Sequence, residues 1–225
     1  MLERIINPML GLIMPGYGTA ARATSPSRIA LPGAGRFPQL CMLPVDVEPD
    51  ELGELHTAGR RVVQLKADGI RALYLAGQIA GRDGAPLDCA LHCQPALARL
   101  EEAFGTRMVF DGEYVEQDGF NATVAAHRRG EGQGVFWLFD ALPYDDWCAG
   151  GSKVGTVDRL SELRRHVMAA QSPFVGMLDF WLMDAAQTRA KALELFREGY
   201  EGIVTKDAEA GYVRARSRLW RRCKA

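Results

Sequence analysis

The chain has 225 residues, 48% of them hydrophobic and 24% charged, with a formal net charge of −1. That length gives one large domain or two small ones with a buried core, and the near-zero charge excludes a global basic field for nucleic acid, leaving only local patches. An odd, scattered set of five cysteines argues against a disulfide framework and for a reducing compartment, and no run approaches the ~20 apolar residues of a membrane span.

Residues 1–36 carry Pro8, Pro15, Pro26, Pro32 and several glycines. They read as a Gly/Pro-rich N-terminal arm. The run "IINPMLGLIM" followed by small residues is loosely signal-like, and no acid occurs from Arg4 to Val45. Pro8 breaks the run and Glu3 weakens a positive start, so a poorly ordered lead-in is expected rather than a targeting segment. One domain is expected over 37–225. It opens with "FPQLCMLPVDVEP", a loop or sheet edge with buried anchors, and "PDELGELHTAG", a short helix with Asp50 as a candidate N-cap. "RRVVQLKADGIRALYLAGQIAGRDG" reads as strand and turn, twice. "DCALHCQPALARLEEAFG" is helical with an interruption at Pro95. No second ligand pair follows Cys89, His92 and Cys93 at zinc-site spacing, so that stretch reads as a short helix with ordinary packing.

"RMVFDGEYVEQDGF" is a strand ending in a hairpin signal at Asp118-Gly119. "GVFWLFDALPY" is apolar on both faces and so a buried strand. "TVDRLSELRRHVMAA" is an amphipathic helix with Thr156 or Asp158 near its cap. "PFVGMLDFWLM" reads as one strand, "DAAQTRAKALELFREG" as a helix closed by Gly199, and "EGIVTKD" and "YVRARSRLWRRCKA" as final strands. Strands and helices segregate irregularly, which points to α+β with antiparallel sheets.

The chemistry-bearing stretch is "QLKADGIR", residues 64–71. A lysine is protonated at neutral pH, with a reference pKa of ~10.4, and becomes a nucleophile only where burial and nearby cations lower that value. The apolar strand ahead of Lys66 can bury its stem, and Arg71 can aim a second cation at the same place. Gly69 permits a tight backbone path and Asp68 can orient it. A lysine closing a strand is otherwise a solvated strand end. In "FDGEYV", Glu113 shares a face with Asp111. In "EGIVTK", Glu201 and Lys206 point to opposite faces of a regular strand, so a bulge or a turn at Gly202 is needed to bring both to one site. In "LWRRCK", Arg222 and Lys224 share a face. Carboxylates for a hard metal, cations for phosphate and one nucleophile suit phosphoryl or nucleotidyl transfer.

These stretches, in this order, resemble the covalent nucleotidyltransferase superfamily, and within it the short, phage-like ATP-dependent DNA ligases. "KADGIR" is similar to motif I (KxDGxR), "IAGRDG" to the following SRxG segment with Gly81 in place of serine, "FDGEYV" to motif III, "VFWLFDALPY" to motif IIIa, "EGIVTK" to motif IV and "LWRRCK" to motif V. "DGFNATVAAHRRG" also looks ligase-like. The resemblance runs from about residue 40 onward. It implies an ATP-grasp-like nucleotidyltransferase core of two antiparallel sheets with flanking helices, using ATP and Mg²⁺ or Mn²⁺. Lys66 would become lysyl-AMP. Gln64, Arg71, Arg82, Glu113, Phe139, Lys206, Arg222 and Lys224 would contact the nucleotide, with Phe139 (or Trp137 on the same strand) stacking on the base. Glu113 and Glu201 would hold metal. The acceptor would be nicked duplex DNA, in the context of replication, repair or recombination, in the cytoplasm of a bacterial or phage-infected cell, with the chain a monomer and no membrane involved.

Three departures bear on that reading. Gln64 stands where an acid often reads the adenine amine, and its amide oxygen still accepts a hydrogen bond. Arg222 replaces the first motif V lysine with a bulkier, forked cation. The sequence stops at motif V, before the OB-fold domain with motif VI that clamps the duplex: either this is a standalone catalytic domain, or that domain sits on another chain or DNA-binding partner, or the sequence is cut short ahead of it. Alternatives are an RNA ligase or capping-type enzyme on the same core, and a non-catalytic nucleic-acid-binding relic. The tail from Gly211 has six cations and no acid, from Arg214 to Lys224. With His127, Arg128 and Arg129 it is expected to form a phosphate-contacting surface.

Overall fold

The structure, a computed structural model, describes Phe37, residues 39–54 and residues 59–225. The arm expected over residues 1–36 lies outside them. β1 (Leu43–Asp46) tolerates Pro44 because it is a sheet edge. A 3-10 turn (Pro49–Glu54) stands where a short helix was expected, and Asp50 pairs with Arg189 at 2.7 Å instead of capping it. Apolar alternation then produces β2 (Arg61–Leu65), β3 (Ile70–Leu75) and β4 (Gln78–Gly81). Ala76 and Gly77, at φ 50° and 76°, make the two-residue turn between β3 and β4.

A second 3-10 turn (Asp88–Cys93) leads into α1 (Gln94–Phe104). Pro95 sits in the first turn of α1, where its missing N–H costs nothing, so it starts the helix rather than interrupting it. β5 (Met108–Val115) is followed not by a hairpin but by α2 (Phe120–Arg129). Gly119 does turn the chain, at φ 86°, and Thr123 fixes the entry by accepting from the Glu116 N–H and donating to the Gly119 carbonyl, both at 2.9 Å. β6 (Val135–Pro143), α3 (Tyr144–Cys148) and α4 (Thr156–Ala170) follow. The stretch read as one strand is two, β7 (Val175–Met177) and β8 (Phe180–Met183), and the chain changes sheets between them. α5 (Ala185–Arg197) opens with a reciprocal cap between Asp184 and Gln187. β9 (Gly202–Asp207) and β10 (Arg216–Lys224) complete the fold.

The strands form two sheets, ordered β1-β10-β9-β2-β8 and β4-β3-β5-β6-β7. Pairing is antiparallel except at two edges, β1 on β10 and β7 on β6, so each sheet is mixed. The α+β class and the two-sheet core are as expected. α5 covers the outer face of the first sheet through Val63, Ala192, Leu195 and Ile203. α1 and α4 cover the second through Tyr74, Leu97, Phe110 and Leu163. Between the sheets, Leu73, Val109, Tyr212 and Trp220 pack at one end and leave a cleft at the other.

Candidate active site

The inner face of the first sheet presents Gln64 from β2, Val204 and Lys206 from β9, and Trp220 and Arg222 from β10. The second sheet answers with Arg71 from β3, Glu113 from β5 and Phe139 from β6. They line a cleft of roughly 580 Å³, with Lys66 at the end of β2 and Arg82 after β4 on its rim. Eight of the ten residues singled out from the sequence therefore share one cavity. Glu201 reaches it through Lys66, and Lys224 lies exposed at the end of β10 opposite Gly202, outside the lining.

Lys66 keeps its backbone in the sheet by donating to the Gly202 carbonyl at 2.9 Å. Its ammonium donates to Glu201 Oε2 at 2.5 Å. Glu201 does this from the turn before β9, which resolves the opposite-face problem: Glu201 is not in the strand, and Lys206 is. Gly69 follows because β3 runs tight against β5; a Cβ there would stand 2.2 Å from the Tyr114 carbonyl oxygen. Asp68 is exposed and away from the cleft.

Phe139 owes its place to a bulge. Asp111 pairs with Asp140 but Gly112 pairs with Leu138, leaving Phe139 as the extra residue of β6. Its ring faces the cleft 4.5 Å from the Arg71 guanidinium carbon and edge-on to Trp220. Its freed carbonyl accepts from Lys206 Nζ. Trp137 packs over Gly176 instead and does not line the cleft.

Two buried aspartates face each other across β5 and β6, each with its own arginine. Asp111 takes Arg71 through two hydrogen bonds of 2.7 and 2.6 Å, and also the Tyr212 hydroxyl at 2.6 Å. Asp140 takes Arg159 of α4 at 2.8 and 3.0 Å, with Lys206 at 3.5 Å. Burial works against the Asp140 charge, yet Arg159 and Lys206 hold its carboxyl below the usual range. Burial brings Lys206 down to about 8, helped by Arg159 and Arg71. Burial also raises Glu113 to about 7, against the pull of Arg71 and Lys66.

Gln64 is buried, and its Nε2 donates to the Leu178 carbonyl at 3.3 Å while its Oε1 has no hydrogen-bond partner. An orphaned acceptor in a cleft wall awaits a donor on a ligand. Glu201 pairs directly with Lys66, and Glu113 feels the charges of both Lys66 and Glu201. No group of three or more metal-ligating side chains occurs among the described residues. A pair of carboxylates is what Mg²⁺ uses when substrate phosphates and water complete its shell, so the donor set fits such an ion.

The basic surface is only partly as expected. Arg216, Arg218 and Lys224 are exposed, as are His127, Arg128 and Arg129 in the last turn of α2. Arg214 is buried instead, stacked 3.8 Å from the Trp147 ring and donating to the Gln39 carbonyl. Asp140, Arg159, Trp220 and Asp46 were not singled out from sequence, and Asp111 was named only as sharing a face with Glu113. An aspartate inside the apolar run "VFWLFDALP" was the one available signal, since a buried charge demands a partner.

No family model matches the chain, and no curated protein matches it in sequence. Solved structures match it in fold. One described as Pmar-Lig_PreS3 superposes with a TM-score of 0.70 at 22% identity, over 84% of this chain and 47% of its own. An ATP-dependent DNA ligase from bacteriophage T7 in complex with ATP gives 0.64 at 16%, over 82% and 68%. A Chlorella virus DNA ligase-adenylate gives 0.61 at 17%, over 82% and 67%. The chain spans about half the length of the first of these. With its two facing sheets and the cleft between them, it has the fold of the adenylation domains of ATP-dependent DNA ligases.

Proposed function

We propose that the chain carries the nucleotidyl-transfer chemistry of an ATP-dependent DNA ligase. The observation that carries this reading is the position of the Lys66 amine: at the rim of a cleft lined by Gln64, Arg71, Glu113, Phe139, Lys206 and Arg222. Lys66 Nζ, once neutral, attacks the α-phosphorus of ATP. An N–P bond forms as the bond to the α,β-bridging oxygen breaks, and pyrophosphate leaves with that electron pair. Glu201 Oε2, 2.5 Å from Nζ, stands where the departing proton is held. A 5′-phosphate oxygen at a nick then attacks the same phosphorus, and Lys66 leaves and regains its proton. The 3′-hydroxyl displaces AMP from the 5′-phosphate and seals the strand. Glu113 and Glu201 would hold Mg²⁺, which supplies charge neutralisation on the phosphate oxygens.

Gln64 favours adenine over guanine. The Leu178 carbonyl takes one Nε2 hydrogen, which orients the amide and leaves Oε1 as its unpartnered acceptor for the base. Oε1 accepts the adenine amine and repels the guanine carbonyl. Phe139 offers its face to the ring. Nicked duplex DNA is the acceptor by likeness to the DNA ligases above, with Arg82 and the exposed cations of α2 and β10 meeting its phosphates.

Incubation with Mg²⁺ and ATP labelled at the α-phosphate, followed by denaturation, should leave covalent label on the protein and none on Lys66→Ala. Absence of label on protein freed of bound AMP and supplied with a ligase OB-fold domain would refute the chemistry. DNA binding in that case would favour the non-catalytic reading.

A further inference from the structure

Arg222 lines the cleft, but its guanidinium is already engaged. Nε and Nη2 donate to Asp46 Oδ1 and Oδ2 at 2.6 and 2.9 Å. β1 and β10 lie parallel with Asp46 and Arg222 in register, so the backbone sets the pair side by side. The register between these strands jumps just before, from Pro44 opposite Ser217 to Val45 opposite Arg221. That jump brings Asp46 level with Arg222. The hydrogen bonds from Arg222 hold the Asp46 carboxyl below its usual range, and the same bonds raise Arg222.

A guanidinium has five N–H donors on three edges. Side-on pairing through Nε and Nη2 consumes one edge and directs the Nη1 edge away from the carboxylate. We propose that Asp46 is a positioning residue for nucleotide binding: by taking the Nε–Nη2 edge of Arg222, it converts a long, mobile fork into a fixed donor turned to the phosphates of the bound nucleotide. This rests on the nucleotidyl-transfer reading above. A lysine in place of Arg222 would need no such device, because an ammonium donates equally in three directions and has no edge to orient.

Asp46 has two opposed effects, which makes the idea decidable. As an anion beside the site it repels ATP whichever cation stands opposite it on β10. As a clamp it aids ATP only when that cation is arginine. The pair is exposed enough, with Asp46 at 66%, to add little to stability. The test is a cycle of Asp46→Ala, Arg222→Lys and the double variant, reading the ATP dissociation constant by equilibrium titration alongside the melting temperature. With Arg222 present, Asp46→Ala should weaken ATP about 3- to 10-fold with little change in melting. In the Arg222→Lys background, the same change should leave ATP binding equal or tighter. Tighter or unchanged binding in both backgrounds would overturn the clamp, as would equal weakening in both. The parent's lysyl-AMP label is scored separately, so loss of the clamp and loss of the ligase chemistry give different results.

Discussion

Glu113 is the residue whose environment departs most from what its sequence position suggests. The sequence shows a carboxylate on a strand; the structure shows one half-buried in the cleft wall, where burial pushes it up from 4.5 to about 7. Folding holds its proton up to about 7, whereas the unfolded chain releases it near 4.5. The associated stability is therefore full below pH 4.5 and is lost as pH climbs through 7. Glu113→Gln should unfold much like the parent in EDTA at pH 4.5 and be more stable at pH 8, by about 2–3 kcal/mol. Denaturant titrations at the two pH values check this, and parallel curves would count against it. Which residues gather at the cleft was otherwise legible, because the spacing in "KADGIR", "FDGE" and "EGIVTK" is local. What could not be read was occupancy: that Arg71 is committed to Asp111, and Arg222 to Asp46, across 40 and 176 residues of chain.

Elements were legible where periodicity is strong and illegible where pairing decides. β6 reads plainly as a buried strand, yet its bulge is a property of its register with β5 and leaves no mark in "VFWLFDALP". Asp118-Gly119 does signal a turn, but the next segment pairs with nothing and coils into α2. The split of β7 from β8 shows only as Asp179 within an apolar run. The link from α4 to β6 through Arg159 and Asp140 is likewise long-range, and it is costly to break on one side. Both charges are almost fully buried, at 2% and 0% exposure. Arg159→Leu leaves Asp140 with Lys206 and the Ala141 N–H as its remaining partners and should destabilise by about 3–5 kcal/mol. Asp140→Asn added to it should recover part of that loss. Equilibrium unfolding of the two variants is the measurement, and an unstable double variant with a stable single one would contradict the argument.

The whole molecule is two sheets that meet at one end and part at the other, so a ligand in the cleft bridges both. Saturating ATP at about 100 times its dissociation constant should add about 2.7 kcal/mol, which is about 5–10 °C in melting temperature for a chain of this size. GTP at the same concentration should give a smaller shift, because its base carbonyl meets Gln64 Oε1; equal shifts in a thermal scan would remove the argument for adenine. The overall architecture was legible from alternating strands and interspersed helices. The mixed edges were not, since direction of pairing depends on where distant strands arrive. The crossing between sheets at Leu178 has one more consequence. The atom that sets the Gln64 amide is a main-chain carbonyl, which every amino acid carries. Under the adenine reading, the orientation of that amide is then set by the main chain at position 178, and the base it meets by the single side chain at position 64.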